Sequence, residues 1–334
     1  MGKDLIHKRC LGDNVRYADL LNGLLFAGEQ VVKPSDLLDA VAGNGSKKQR
    51  DLLKKMALGT NFVVIGLENQ EKVHYLMPMR SMLYDAEEYD RQARVMRREL
   101  KERYKLQRVS AGSDSAECRG TETCKTITED EYLSGFRKID KLLPCITIVL
   151  FYGDEWDGSK DLYGILDMSA IPKELKKYVN NYPMHLFEVK KFTDKDTAVF
   201  RTDLKQIFDF IRCSKDKRKL RTLVESDRAY REMDEDAYDM VAAYANTKAL
   251  AVAKETYRRD GKVDMCKAIE DMCKDSWQEG NEQGIEQGIE QGICLFVLDH
   301  QEDGTPRERV MDKLIRRFGL TQERAEEYLV KYNY

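Results

Sequence analysis

An α/β domain followed by a helical C-terminal region is what this sequence predicts, on three observations. Runs of strand formers occur at 62–67 (FVVIGL), 145–152 (CITIVLFY) and 184–189 (MHLFEV). Between and around them lie stretches with helical periodicity, the clearest after Pro78, where Met82, Ala86, Tyr89, Ala93, Met96, Leu100 and Tyr104 step by four and three. From about residue 214 onward the patterning is almost wholly helical.

Each element has its own local reason. Residues 15–27 space Val15, Ala18, Leu21, Leu24 and Leu25 as one helical face, and Gly28 suits the stop. Val31 and Val32 begin an extended piece that Pro34 prevents from becoming a central strand, and Ser35–Leu38 read as a short helix or turn. The Gly, Asn and Ser residues at 43–46 make a loop, followed by KKQRDLLKK, basic around Asp51. The strand at 62–67 continues through Glu68, Asn69 and Gln70. Glu71-Lys72 reads as a turn and 73–77 as a returning strand, which together predict an antiparallel hairpin. Residues 109–128 are rich in Ser, Thr and Gly and read as a mobile loop. The continuous apolar run at 145–152 predicts a strand covered on both faces, GDEWDG a turn with Trp156 packed into it, and Thr202 the start of an amphipathic helix carrying Leu204, Ile207, Phe208 and Ile211.

Composition narrows the function. Hydrophobic residues at 42% and charged residues at 34% describe a globular chain with a charged surface, and no stretch approaches the ~20 apolar residues of a membrane span. The N-terminus lacks the apolar core of a signal peptide, and Ile6 stands where myristoylation wants Ser or Thr, so a cytoplasmic protein is expected. Eight cysteines include no CxxC pair, which argues against structural zinc and for free thiols. A net charge of -3 excludes a uniformly basic surface. One run is nonetheless strongly basic: Arg91, Arg94, Arg97, Arg98, Lys101, Arg103, Lys105 and Arg108. It is either a phosphate-binding face or a solvated helix face partly countered by Glu99 and Glu102. The four-residue repeat at 279–293 aligns Gly284, Gly288 and Gly292 in one stripe and Ile285, Ile289 and Ile293 in the next. It reads either as a self-association seam or as a pliable helical linker.

The chemistry-bearing stretch is Gly66-Leu67-Glu68-Asn69-Gln70. Side chains at i and i+2 of a strand share a face, so Glu68 and Gln70 project together. Asp51 lies upstream, just before the strand. Two carboxylates converging at a strand end can share a hard divalent cation, and Mg²⁺ favours few carboxylates, several waters and a phosphate oxygen. Such an ion polarises a phosphate and lowers the pKa of bound water. His74 and His185 sit on strand-like segments and read as structural or surface groups.

GLENQ followed by HYLMPMRSMLYDAEEYDRQ resembles the Rpn family of recombination-promoting, transposase-like nucleases. PCITIVLFYGDEWDG, HLFEVKKF, FRTDLKQIFDFI and the repeated EQGI are similar to that family's later blocks, in the same order, so the likeness spans roughly residues 15–293. The family belongs to the PD-(D/E)xK superfamily. The resemblance therefore implies a restriction-endonuclease-like mixed sheet flanked by helices, and a Mg²⁺-dependent DNA endonuclease acting in recombination, mobile elements or phage defence. It implies Asp51 as the motif aspartate, Glu68 as the acidic residue of the (D/E)xK element, Gln70 in place of its lysine, and Gln92 on the following helix as another residue facing the site. Asp51 and Glu68 are the expected metal ligands. From the first helix Asp19 or Asn22 is a further candidate, Asn22 favoured, and Arg80 is placed to order the helix start or touch phosphate. Glutamine carries no positive charge, so charge stabilisation would pass to the metal and to Arg80 or the 91–108 cluster. An inactive nucleic-acid-binding or assembly protein on the same fold is the alternative. The expected organisation is a nuclease-like domain at 1–213, a helical region at 214–278, a repeat linker at 279–293 and a helical domain at 294–334. DNA is the expected partner, with a homodimer formed through the C-terminal helices.

Overall fold

The strand formers at 61–70 build the middle of a five-stranded sheet. The structure is a computed structural model, and it describes residues 2–40, 51–58, 61–110, 127–245 and 248–334. The chain divides into two compact units, Met1–Met265 and Cys266–Tyr334.

In the first unit, helices α1 (Lys3–Gly12) and α2 (Asn14–Phe26) precede β1 (Leu37–Asp39), β2 (Leu52–Leu58) and β3 (Asn61–Gln70). The long helix α3 (Met77–Ser110) and short α4 (Glu129–Ser134) lead to β4 (Cys145–Phe151), α5 (Lys173–Lys176) and β5 (His185–Glu188). Then follow α6 (Asp194–Thr197), α7 (Leu204–Cys213), α8 (Lys217–Ser226), β6 (Met233–Asp234), α9 (Glu235–Ala245), α10 (Lys248–Tyr257), β7 (Arg258–Arg259) and β8 (Lys262–Val263). The main sheet runs β1-β2-β3-β4-β5, antiparallel up to β3 and parallel beyond it. It is the mixed sheet flanked by helices that the sequence predicts. The three smallest strands form a separate small sheet in the otherwise helical 214–265 stretch.

Both faces of the sheet are covered, which is why β3 and β4 are buried along most of their length. On one face, Met77 and Tyr84 of α3 pack with Val149, Phe151, Trp156 and Met184. Trp156 lies edge-on to Phe151 and donates from Nε1 to the Ser159 carbonyl, as a turn-packing aromatic does. On the other face, Tyr17 of α2 donates its hydroxyl to the Ile65 carbonyl. Helix α7 buries Leu204, Ile207, Phe208 and Ile211 completely, as its spacing requires. The sequence division at 213 is not a unit boundary, because α9 packs against both α1 and α7.

Two local readings change. The partner of β3 is upstream: β2 pairs with it antiparallel, while 73–76 form no strand. Met77 closes a turn onto the His74 carbonyl, and Pro78, which needs no N–H donor in a first helical turn, continues into α3. The buried face of early α3 also differs from the apolar stripe: Ser81, Tyr84, Asp85, Glu88 and Gln92 are buried, whereas Ala86 is exposed. The glycine repeat is helical, as its spacing indicates. It lies inside α11 (Met265–Glu302), which with α12 (Arg307–Phe318) and α13 (Gln322–Lys331) makes up the second unit. The core of that unit is Ile293, Val297, Val310, Leu314, Ala325 and Leu329.

No helix among the described residues is long and apolar enough to cross a membrane. The six described cysteines are free thiols, and the predicted loop at 109–128 falls mostly outside the described residues.

Candidate active site

Glu68 sits near the C-terminal end of β3, opposite Val149 of β4, and is only 3% exposed. The strand's two-residue period turns Glu68 and Gln70 to the α3 side, and the Gln70 amide donates to Glu68 Oε1 at 3.1 Å. Arg80, in the first turn of α3, donates from Nη2 to the same oxygen at 2.6 Å, and the Tyr84 hydroxyl donates to it at 3.3 Å. Arg80 also donates to the Tyr84 hydroxyl. The positive charge that Gln70 cannot supply thus reaches the carboxylate from the helix instead.

Asp51 enters from the end of β2. Leu52 pairs with Leu67, so extending that register by one residue sets Asp51 across from Glu68. Its Oδ2 accepts from the Asn69 backbone N–H at 2.7 Å and from the Asn69 amide at 3.3 Å. The two carboxylates are near enough to act on each other. Burial, and then the Asp51 charge, push the Glu68 carboxyl up to about 7, against smaller opposing effects of Arg80, Tyr84 and the Asp51 backbone N–H.

A chain of aromatic groups braces Asn69 from the other face. Tyr152, directly after β4, donates its hydroxyl to Asn69 Oδ1 at 3.1 Å. Its ring stacks on His7 of α1 at 5.2 Å and on Tyr244 of α9 at 4.7 Å, and the Tyr244 hydroxyl lies 2.7 Å from His7 Nε2. Burial lowers the His7 pKa and raises those of Tyr152 and Tyr244, which keeps this stack neutral beside Asp51. These three residues carry no local sequence signal, because they converge from segments far apart in the chain.

Two atoms around Glu68 are buried and lack any hydrogen-bond partner among the described residues: Glu68 Oε2, an acceptor, and Arg80 Nε, a donor. Buried polar atoms are rarely left unpaired. A lone carboxylate oxygen across from a second carboxylate suits a hard cation with oxygen ligands. Among the described residues no cluster of three or more His, Cys, Asp or Glu exists that could hold a metal. Asp51 and Glu68 are thus the two carboxylates here that could hold a cation, the rest of whose shell would have to come from water and substrate.

Three other predicted residues stand elsewhere. Gln92 accepts from the Leu143 N–H at 2.7 Å and donates to Glu88 and the Leu143 carbonyl, so it pins the entry to β4. It lies twelve residues beyond Arg80, roughly 18 Å along the helix at 1.5 Å per residue, and does not face Glu68. The Asn22 amide is fully used on the Val32 N–H and carbonyl. Asp19 accepts from the Arg201 and Thr202 N–H groups and from the Thr202 hydroxyl. Both first-helix candidates are framework residues because loops that run over α2 need their backbone polar groups satisfied. Glu188 is held by Lys160, Lys191 and the Trp156 N–H.

Comparison with family models, with curated proteins and with solved structures finds no match.

Proposed function

We propose that the chain is a divalent-metal-dependent DNA endonuclease whose ion is shared by Asp51 and Glu68. The observation that carries this reading is the buried, unpartnered Glu68 Oε2, on a carboxyl near enough to Asp51 to feel its charge, beside the unpartnered Arg80 Nε. The resemblance to Rpn-type PD-(D/E)xK nuclease sequences supports it, with the recombination, mobile-element or phage-defence roles it implies. When bound, the cation would polarise the scissile phosphate and activate a water. Gln70 can orient that water through its amide, and Arg80 can shift from Glu68 onto the phosphate oxygens, giving the charge stabilisation that the missing lysine would provide. Asn69, braced by Tyr152, holds the Asp51 carboxylate in place.

The basic run on α3 extends the substrate track. Arg94 and Lys105 are neutralised by Asp90 and Glu102, but Arg98 and Lys101 are exposed with no ion pair among the described residues. Arg98 lies roughly 27 Å along the helix from Arg80. That is the span of about eight phosphates of one strand at ~3.4 Å each.

Cutting two strands calls for two sites, and α11 offers a self-complementary face. At 100° per residue, Trp277, Gly284, Gly288 and Leu295 fall within roughly 40° of arc. Trp277 and Leu295 are exposed, and a side chain at Gly284 or Gly288 would meet nothing. An antiparallel two-fold centred on Glu286 seats Gly284 against Gly288 of the partner subunit and Trp277 against Leu295 of the partner subunit.

The test is plasmid and short-duplex cleavage with Mg²⁺ or Mn²⁺ and with chelator. Wild type should cut only with the ion, and Asp51→Asn and Glu68→Gln should lose at least ~100-fold. A second reading, a non-cutting nucleic-acid binder, is favoured by the Arg80–Glu68 ion pair, which already balances the carboxylate. It expects salt-sensitive DNA binding that is indifferent to Mg²⁺ and to Glu68→Gln.

A further inference from the structure

The first unit holds a cavity of about 840 Å³ that shares no lining residue with Asp51, Glu68, Gln70 or Arg80. It lies between the start of α2, the turn into α7, the 3-10 turn Arg228–Arg231, and strands β6 and β8. Such a volume is within the ~300–1,000 Å³ typical of small-molecule sites. Phe200 and Met233 are buried residues that give its wall an apolar part.

Its charges are unequally matched. Asp203 and Asp234 are taken up by Arg16 at 2.7 and 2.8 Å, and Asp13 caps α2 through the Arg16 N–H. Lys262 pairs with Asp234, and Lys205 with Asp209. What remains are three exposed arginines without ion pairs among the described residues, Arg201, Arg228 and Arg231, against one carboxylate, Glu232. Their backbones are fixed while their side chains are free. Buried Asp19 grips the Arg201 N–H, Asp227 caps the 3-10 turn at the Ala229 N–H, and the buried Tyr230 hydroxyl ties that turn to the Gln206 carbonyl of α7. Three guanidinium groups held around one cavity repel one another unless an anion lies between them. Their planar forks match phosphate oxygens in pairs.

We infer that this cavity binds a nucleotide-sized phosphate ester carrying two or more negative charges, with its phosphates on Arg201, Arg228 and Arg231 and its organic part against Phe200 and Met233. Fixed backbones confine the ordering cost of such binding to the arginine side chains, and one unpaired carboxylate leaves the site net positive for a polyanion.

Isothermal titration of the full chain with ATP, inorganic pyrophosphate and inorganic phosphate tests it, in chelator so that the Asp51–Glu68 site takes no part. One saturable ATP site is expected, displaced by pyrophosphate, weakened at least tenfold in the combined Arg201→Ala, Arg228→Ala, Arg231→Ala variant, and unchanged in Glu68→Gln. Should the triple variant fold poorly, Arg228→Glu alone should show the same loss at unaltered melting temperature. No saturable binding of ATP or pyrophosphate, or equal affinity in the variants, overturns the proposal. So does tighter competition by a single-stranded 12-mer than by ATP, which would assign the arginines to a nucleic-acid backbone.

Discussion

Replacing Glu68 by glutamine should remove the pH dependence that this one carboxyl imposes on the fold. Its native pKa is pushed up to about 7 from an ordinary 4.5, and at 3% exposure it is little screened by solvent. A raised native pKa means that the folded chain holds the proton more tightly than the unfolded chain. The resulting stabilisation is complete below 4.5 and is lost as pH rises through 7. At 1.36 kcal/mol per unit, the loss is on the order of 3 kcal/mol across that window. Glu68→Gln cannot titrate and still offers an oxygen to Arg80, so its stability relative to wild type should climb by about that amount between pH 4.5 and 7.5. Urea unfolding of both proteins in chelator, at half-unit pH steps, gives the difference curve directly. A flat or falling difference would refute the reasoning, since it would mean that Glu68 is not a desolvated carboxyl. Adding 10 mM Mg²⁺ should stabilise wild type at pH 8, by about 2.7 kcal/mol if that is a hundredfold excess over Kd, and do little at pH 4.5, where the proton competes.

Other outcomes follow from the same contacts. Gln92→Ala removes both links to Leu143 and should cost about 1–3 kcal/mol in urea unfolding while leaving metal affinity unchanged. Asp19→Ala strands the Arg201 and Thr202 donors and should cost about 2–4 kcal/mol by the same measurement, again without touching the Glu68 pocket. Gly23→Ala places a methyl 2.1 Å from the Phe200 ring, and should lower the melting temperature by an overpacking cost of about 1–3 kcal/mol. Gly288→Leu should shift a sedimentation dimer to monomer, and an unchanged dimer would exclude the α11 seam.

What could be read from the chain, and what could not, divides along physical lines. Strands β4 and β5 and helix α7 are bounded as their composition indicates, because each buries a face that a local pattern announces. The pairing of Glu68 with Gln70 is likewise local, a matter of strand period. Strand β2 was hidden by its lysines. Lys54 is 3% exposed, its ammonium satisfied by Asn14 and Asp39 and lying over the Tyr17 ring, so a buried position looks like a solvated one. The α3 stripe misled for a related reason. Its sheet-facing side is polar, with Asp85 on Thr147 and Tyr182 and Gln92 on Leu143, and these partners distant in sequence make that burial tolerable. The His7–Tyr152–Tyr244 stack behind Asn69 joins residues up to 237 positions apart and leaves no trace in spacing.

Binding of Mn²⁺ to the full chain at pH 8, followed by titration calorimetry or by the loss of its free-ion resonance, bears most directly on the shared-ion claim. One ion per chain is predicted, abolished by combining Asp51→Asn with Glu68→Gln and retained in Gln92→Ala. An equal number of ions on the doubly substituted chain, or none on wild type, would contradict it.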